Sequence, residues 1–300
     1  MIISEECRHC LVRQYINRYP EDAAPHEIMT YQNAVRDITA HSDGLCGPQI
    51  AARMNALQRD LFGPGNDFSE INRHFDELML ACYPYMKRKT EEAADPLKAA
   101  LQYAMTGNYI DFGTLEKVDE GNLRGRLDKA ESIQIEPEII ESFRNELLKA
   151  RRLVYFTDNC GEIVADKLLI SVMRDVNPEI EVTVILRGEP VMNDATAEDA
   201  RLIRMEEVAD RIIGNGSGLP GSILGEMSPE AEDAVAAADL LVAKGQGNYE
   251  GLCGCGLNVF YLFLCKCDLF TRTFSVPRFT GLMIREYDQN YSDQSGIAVK

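Results

Sequence analysis

The chain has 300 residues, 45% of them hydrophobic and 26% charged, a composition typical of a globular protein with a sizeable core. Its net charge of −17 argues against nucleic acid as a partner, because a phosphate backbone requires a cationic face. No apolar run approaches the ~20 residues of a membrane span. No basic leader segment is present at the start, so we expect a cytoplasmic protein with no membrane partner.

The first half of the chain, up to about residue 150, has the apolar spacing and the start signals of helices. A helix with a capped start at 66–70 is expected to run past Pro84, which should kink it. Pro96 is placed like the first residue of another helix, which ends before Gly107. Further helices are predicted at about 7–20, 25–40, 47–63 and 137–149, with one more polar helix before the last of these.

From Arg152 the pattern changes, because short apolar runs now alternate with helical segments, as in βαβ units with a mainly parallel sheet. The first run is unbroken, as expected of a strand buried on both faces. The predicted strands are Leu153–Thr157, Val182–Leu186, Arg211–Ile213, Leu240–Ala243 and Val259–Leu264, with a possible edge strand at Leu282–Arg285. We therefore predict an α/β fold. A Rossmann-like, three-layer α/β/α domain with the metal and catalytic site occupies residues 151–300, a helical domain occupies residues 1–150, and residues 291–300 form a loose tail.

Polar residues follow the predicted strands. The first strand ends in Asp158-Asn159, followed by Gly161-Glu162 and a helical segment; the second is followed by Arg187 and then Asn193-Asp194. The fourth ends in Lys244-Gly245 and Asn248. Because the carboxyl ends of parallel strands lie along one edge of a sheet, we expect the Asp158 and Asp194 carboxylates to meet there.

This set of side chains predicts a metal site. Asp158, Asn159 and Asp194 offer hard oxygen ligands to a divalent cation and leave positions open for water and substrate. Lys244 could contact a phosphate as a point charge, and Arg187 could add a bidentate contact or pair with Glu189. The glycines at 214–218 and 245–247 allow backbone N–H groups to approach an anion closely.

Each of these residues also has a structural interpretation. Asp158 or Asn159 could cap the following helix, and the Asn193-Asp194 pair could cap a helix that begins at Thr196. Lys244 could end its strand in solvent, and the glycines at 214–218 could form a loop only, since no acidic ribose ligand follows them. Four such groups on one edge of a sheet nevertheless favour a functional site.

The nine cysteines are an odd number without a secretion signal, which indicates reduced thiols. Cys7-x-x-Cys10 could be half of a zinc site, but the sequence shows no second half, so unligated thiols are the first interpretation. The histidines, at positions 9, 26, 41 and 74, all precede the sheet, and no Gly-x-Ser-x-Gly motif follows a strand. A histidine-based site on the sheet and a serine hydrolase are therefore both disfavoured.

Three motifs together resemble one known family. They are Asp158-Asn159-x-Gly161-Glu162, Arg187-x-x-Pro190-x-x-Asn193-Asp194 and Lys244-Gly245-x-Gly247-Asn248-Tyr249-Glu250. The chain is thereby similar to the metal-dependent damage-control phosphatases, also called domain of unknown function 89 or the acidic-residue-methyltransferase-like family. The 107–113 segment and Lys266-Cys267 fit the same family, and Cys7-x-x-Cys10 looks like the mark of its stand-alone prokaryotic subfamily.

The resemblance implies a helical domain joined to a Rossmann-like domain, with Mn²⁺, Co²⁺, Ni²⁺ or Mg²⁺ held by Asp158, Asn159 and Asp194. It implies hydrolysis of small phosphate monoesters, such as sugar phosphates or damaged phosphometabolites, with Lys244 on the phosphate. Asp158, Asn159, Asp194 and Lys244 are thus the expected catalytic residues. The expected substrate-binding residues are Asn108, Asp111, Glu162, Arg187, Asn193, Gly245 and Asn248. The segment Cys253-Gly254-Cys255 departs from the family pattern.

The hypothesis is phosphomonoester hydrolysis by a metal-activated water. No second aspartate follows Asp158 at the Asp-x-Asp spacing of the haloacid-dehalogenase phosphatases, which favours water over an aspartyl nucleophile. Two alternatives remain: a methyltransferase that uses a methyl-donor nucleotide, and a non-catalytic thiol-metal protein centred on Cys7 and Cys10.

Overall fold

The computed structural model describes residues 1–65, 67–112 and 118–286. The helices before the sheet are α1 (Glu5–Tyr15), α2 (Pro25–Ala40), α3 (Gly47–Phe62), α4 (Ser69–Glu92), α5 (Pro96–Gly107), α6 (Glu120–Leu127) and α7 (Pro137–Lys149). The predicted helices are confirmed, and α4 continues through Pro84 to Glu92. Three predictions fall partly or wholly outside the described residues: the helix start at Asn66, the end of the 107–113 segment at Gly113, and the loose tail at 291–300.

Within the described residues, one sheet contains six strands in the order β3-β2-β1-β4-β5-β6. They are β1 (Arg152–Phe156), β2 (Glu181–Leu186), β3 (Arg211–Gly214), β4 (Leu240–Lys244), β5 (Val259–Leu264) and β6 (Gly281–Arg285). Strands β1 to β5 are parallel to their neighbours, and β6 is antiparallel to β5. All the strands predicted from the sequence, including the edge strand, are therefore confirmed.

Helices cover both faces of the sheet and give the expected three layers. They are α8 (Glu162–Val176), α9 (Ala197–Leu202), α10 (Pro229–Ala237), α11 (Gly245–Leu252) and α12 (Asp268–Thr273). Alternate residues of β1 face opposite layers: Leu153 and Tyr155 lie in one hydrophobic cluster, Val154 and Phe156 in the other. This burial on both faces explains the unbroken apolar run of β1.

The helices of the first half pack in two groups. Helices α1 to α3 enclose a cluster of their own around Tyr31, whereas α4, α5 and α7 share the hydrophobic cluster on one face of the sheet. A domain boundary near residue 150 stays a prediction. Nowhere in the described ranges is a helix both long and apolar enough to cross a membrane.

Candidate active site

The chain leaves β1 through a turn that carries Asp158 and Asn159 and begins α8 at Gly161. Gly161 has φ of +67°, and a Cβ atom there would lie 3.0 Å from the carbonyl oxygen of Phe75, so glycine is required on two grounds. Among the described residues, no side chain caps α8. The capping interpretation of Asp158 and Asn159 is therefore not what the structure shows.

The ends of β1 and β2 are joined directly. The backbone N–H of Ala195 donates to the Asp158 carbonyl (2.8 Å), and that of Cys160 donates to the Asn193 carbonyl (2.8 Å). These bonds place Asn159 opposite Asp194 in an antiparallel bridge. Thr196, and not Asp194, caps α9. The carboxylates of the first two strand ends therefore lie side by side, as predicted.

A single guanidinium connects the two aspartates. Arg187, 2% exposed, donates from Nε to Asp194 Oδ2 (2.5 Å) and from Nη2 to Asp158 Oδ1 (3.4 Å). Its Nη1 donates to Asn248 Oδ1 (3.2 Å), and Asn248 in turn donates to the Thr157 carbonyl (2.9 Å). Arg187 thus fixes three strand ends relative to one another and does not pair with Glu189.

Two amides link Asp158 to Glu162. Asn108, at the end of α5, donates to Asp158 Oδ2 (3.0 Å) and Glu162 Oε2 (2.9 Å). Asn159 Nδ2 donates to the same two oxygens, at 2.8 and 2.9 Å, while its Oδ1 accepts from Asn193 (3.1 Å). Asn159 therefore turns its amide nitrogen towards Asp158, and a role as an oxygen ligand requires the two ends of the amide to exchange places.

Lys244 lies behind these residues, which differs from its expected place on the phosphate. Its Nζ donates to Glu162 Oε1 (2.5 Å), Asp166 Oδ1 (2.7 Å) and the Ala104 carbonyl (2.9 Å), so all three N–H donors are used, and the side chain is fully buried. Burial alone would lower the pKa of Lys244, but Asp166 and Glu162 raise it above its usual value. The two buried carboxylates account for its position.

Glycines at two strand ends have a packing role. Gly245, at the start of α11, has φ of +78°, and a Cβ atom there would overlap the Asp158 carboxylate. In the glycine-rich 214–218 segment, a Cβ on Gly216 would come within 3.0 Å of the Ser228 nitrogen, and one on the nearby Gly188 within 2.5 Å of the Gly216 nitrogen. The second group of glycines therefore permits close backbone packing.

A cavity of about 200 Å³ opens at this edge of the sheet. Of the predicted site residues, four line it: Asp111, Asp158, Asn159 and Asp194. Gln246 and Gly247 line it from α11, as do Cys7 and Cys10 from α1. Asn108, Glu162, Arg187, Asn193, Lys244 and Asn248 are buried behind its wall. Direct substrate contact by these six stays a prediction, while the described contacts show that they position the residues that line the cavity.

The sequence analysis did not include two charged residues, Lys266 and Asp166, among the site residues. Lys266 follows β5, is 1% exposed and donates from Nζ to Asp111 Oδ2 (2.6 Å). Its position directly after a strand was the available signal. Asp166 lies on α8 four residues after Glu162, and its signal was a second carboxylate on one face of an otherwise apolar helix.

The site contains more negative than positive charge. Burial, with Glu162 and Asp194 nearby, raises the pKa of Asp158 well above its usual value; burial also raises that of Asp194 to about 6, against the effect of Arg187. The carboxylates are Asp111, Asp158, Glu162, Asp166 and Asp194, and the cations are Arg187, Lys244 and Lys266. With every side chain ionised, these five carboxylates and three cations carry a formal charge of −2, which a divalent ion would balance.

The donor set is incomplete by itself. Across the described residues, no three His, Cys, Asp or Glu side chains converge in a way that could hold a metal ion. Two carboxylates, one amide oxygen and water molecules would form an open site of the kind that Mg²⁺ and Mn²⁺ occupy. The chemistry of the residues therefore fits a hard divalent ion and not a closed structural site.

Comparisons with known proteins agree with this geometry. The model of the damage-control phosphatase ARMT1-like domain matches residues 3–280. The chain belongs to this family. A damage-control phosphatase from Archaeoglobus fulgidus is 33% identical over 253 residues, 83% of each chain. One from Pyrococcus horikoshii is 30% identical over 239 residues, 77% of this chain and 79% of that protein.

A solved structure shares the fold. The crystal structure of a DUF89 family protein from Pyrococcus horikoshii matches with a TM-score of 0.79 at 24% identity, over 95% of this chain and 99% of that one. The family and its named relatives support a phosphatase function in the broad sense. The family resemblance identified from the sequence is thus confirmed.

Another pair of carboxyl groups, Asp76 and Asp199, lies beside the turn at Gly161. Asp76 on α4 is fully buried; its Oδ1 accepts from the Gly161 N–H (2.5 Å), and its Oδ2 has no hydrogen-bond partner among the described residues. Burial first, and then the neighbouring Asp199, raise the pKa of Asp76 to about 8. Burial and the neighbouring Asp199 therefore favour the protonated form of Asp76.

We expect Asp76→Asn to remove part of the pH dependence of stability. Because the folded state binds the Asp76 proton more tightly than the unfolded chain, stability falls as pH rises from about 4 to 8. The amide imitates the protonated acid and keeps an oxygen for Gly161, so the variant should lose a slope on the order of 1 kcal/mol per pH unit. Urea unfolding of metal-free protein between pH 5 and 8.5 measures it, with the exposed Asp60→Asn as control. An unchanged slope in Asp76→Asn would contradict this assignment.

We expect Gly245→Ala to damage the site directly. The methyl group would collide with Asp158, and the positive φ adds backbone strain, so we expect about 1–3 kcal/mol of lost stability and at least a tenfold loss of activity. Gly125→Ala is the matched control, since a Cβ atom on Gly125 in α6 would meet nothing within 4 Å. Thermal unfolding and phosphate release measure the two effects, and equal behaviour of both variants would contradict the close approach of Gly245 to Asp158.

Proposed function

We propose that the protein is a divalent-metal-dependent phosphatase that hydrolyses small phosphate monoesters, such as sugar phosphates or damaged phosphometabolites, in the cytoplasm. The observation that carries the proposal is the pair of carboxylates, Asp158 and Asp194, that adjacent strand ends bring to one cavity. A phosphate ester adds further negative charge. Such a site therefore binds its substrate only together with a cation.

Asp158 and Asp194 would hold the metal, with Asn159 as a third ligand once its amide is reversed. Mn²⁺, Co²⁺, Ni²⁺ and Mg²⁺ all suit this oxygen-rich set. When bound, the metal supplies a Lewis acid for a phosphoryl oxygen and lowers the pKa of a bound water. A bound cation would oppose the burial and the neighbouring carboxylates that raise the pKa of Asp158, and would thus favour its ionised form.

The residues behind the cavity position these ligands. Arg187 sets the separation of Asp158 and Asp194, since it contacts both. Asn108 and Glu162 fix the other side of Asp158 through the shared amide contact. The ligands therefore have little freedom, and the electrostatic preorganisation that phosphoryl transfer requires is present before substrate binds.

We assign the phosphate contact to Lys266 and not to Lys244. All three donors of Lys244 are used by buried acceptors. Among the described residues, Lys266 Nζ donates only to Asp111, which itself lines the cavity. Exchange of Asp111 for a phosphate oxygen would bring the ammonium group to the transferred phosphoryl group.

The first test is phosphate release from a panel of sugar phosphates and other small monoesters, with each divalent metal in turn. We expect turnover that a chelator abolishes and added metal restores. Asp158→Asn should lower kcat/KM by about a hundredfold or more, since it replaces a charged metal ligand with a neutral one. Asp233→Asn, a change at an exposed aspartate on α10, is the control. Phosphate release that persists in the presence of chelator, or in the Asp158→Asn variant, would contradict the proposal.

The two lysines should respond differently to replacement by methionine. Lys244→Met leaves Glu162 and Asp166 buried without their cation, so we expect a loss of about 3–5 kcal/mol in unfolding free energy. Lys266→Met should cost less stability, because Asp111 is partly exposed, and should chiefly raise KM. Urea unfolding and steady-state kinetics distinguish the two. A raised KM for Lys244→Met with unchanged stability would return the phosphate contact to Lys244.

A further inference from the structure

The outer wall of the active-site cavity comes from the first helix of the chain. Residues of α1 and of the turn after it line the cavity: Cys7, Cys10, Leu11, Gln14, Tyr15 and Arg18. Asp111, Asp158 and Asp194 line the same cavity, as does Glu250 of α11. The three aspartates would take the metal and phosphate, and the residues of α1 and of the turn after it would contact the rest of the substrate.

Arg18 is the one cationic side chain on the cavity wall among the residues that the structure describes. Its guanidinium carbon lies 4.4 Å from the centroid of the Tyr15 ring. Tyr15 is itself fixed, at 3% exposed, with its carbonyl accepting from the Tyr31 hydroxyl (2.9 Å). Within the described ranges, Arg18 forms no ion pair with a carboxylate. Stacking therefore orients a guanidinium whose charge is not neutralised by the protein.

The helix that precedes Arg18, α1, is anchored to elements of the second half of the chain. The terminal ammonium of Met1 donates to the Glu250 carbonyl on α11, and Glu6 pairs with Arg272 on α12. The Ile3 N–H donates to the Leu45 carbonyl (2.8 Å), which joins the same segment to the turn before α3. The position of α1 relative to the strand ends is therefore set by contacts at its N-terminal end.

The cavity has room for a small ester. A volume of about 200 Å³ is enough for a phosphate and a body of a few carbons. Because α1 and the turn after it line the same cavity as Asp111, Asp158 and Asp194, a small ester bound there would have both groups of residues as neighbours.

We propose that Arg18 forms a second anion subsite, which binds a carboxylate or a second phosphate at the far end of the substrate. Guanidinium groups bind both anions through paired N–H donors, and an arginine already oriented by stacking loses little freedom when it does so. The preferred substrates are then small phosphate monoesters with a second negative group, such as phosphorylated hydroxy acids. This inference rests on the proposed phosphatase function for its meaning, but the subsite can be tested separately.

The kinetic test compares esters with the same carbon body. The pairs are 2-phosphoglycolate with 2-hydroxyethyl phosphate, and 3-phosphoglycerate with glycerol 3-phosphate; glycerol 1,3-bisphosphate tests a second phosphate. We expect the wild-type protein to favour the esters that carry a second anionic group. Arg18→Gln should lower their kcat/KM by about 10- to 100-fold, mainly through KM, as loss of a charged hydrogen bond predicts. The kcat/KM of the esters without a second anionic group should change less than about twofold. Arg18→Lys should retain part of the preference, and the exposed Arg13→Gln should retain all of it.

A binding measurement makes the result independent of turnover. Calorimetry compares phosphonoacetate with methylphosphonate, which lacks the carboxylate, in wild type and Arg18→Gln with metal present. We expect the carboxylate to improve affinity in wild type and not in Arg18→Gln. Equal loss for both ligands, or for neither, overturns the subsite and leaves the phosphatase proposal intact. Selective loss in binding, without phosphate release from any ester, upholds the subsite and overturns the phosphatase proposal.

Discussion

The site depends on the guanidinium that Asp158 and Asp194 share. Two carboxylates at the ends of neighbouring strands repel each other, and burial makes that repulsion expensive unless a countercharge lies between them. Arg187 follows β2, so it comes from the same segment as Asp194 and reaches across to Asp158 after β1. Its third contact, to Asn248, includes the end of β4. One side chain thereby fixes the edge of the sheet where the chemistry is proposed to occur.

Behind this guanidinium, cations, carboxylates and amides alternate. Lys244 neutralises Glu162 and Asp166 from the protein side, and the amides of Asn108 and Asn159 separate Glu162 from Asp158. The positive charges are thus placed deep, and the negative ones face the cavity. Under the proposed function, this polarity would allow the buried site to bind a metal ion first and a phosphate ester only after it.

Much of this arrangement could be predicted from the sequence, because it follows from topology. A parallel sheet places the residues after β1 and β2 together, and this brought Asp158, Asn159 and Asp194 to one edge before any coordinates were known. The buried strands were equally clear, since apolar runs such as Leu153–Thr157 have no polar face. The positions of the strands and of their ends are properties of the backbone, and the sequence pattern specifies them well.

The directions of the long charged side chains could not be predicted in the same way. Lys244 ends its strand as expected, yet its ammonium turns inwards, because Glu162 and Asp166 on α8 lie closer than the cavity. That choice depends on a helix packed against the strand, which the spacing of residues does not specify. Lys266 was assigned only to the Lys266-Cys267 motif and not to the site. Its partner Asp111 lies in the helical half of the chain. Contacts between distant segments decide these roles.

The two halves of the chain supply different residues to the cavity. Residues 151–300 supply four of the five carboxylates, and Asp111 comes from the first half of the chain. Residues of α1 and of the turn after it line another part of the cavity. Substitutions on α1 can therefore change which leaving group fits without disturbing the charge balance around Asp158. Since Arg18 stacks on Tyr15 and not on a catalytic side chain, its replacement removes one charge from the wall and leaves the three aspartates as they were. Under the two proposals, selectivity and hydrolysis would therefore depend on different elements of the fold.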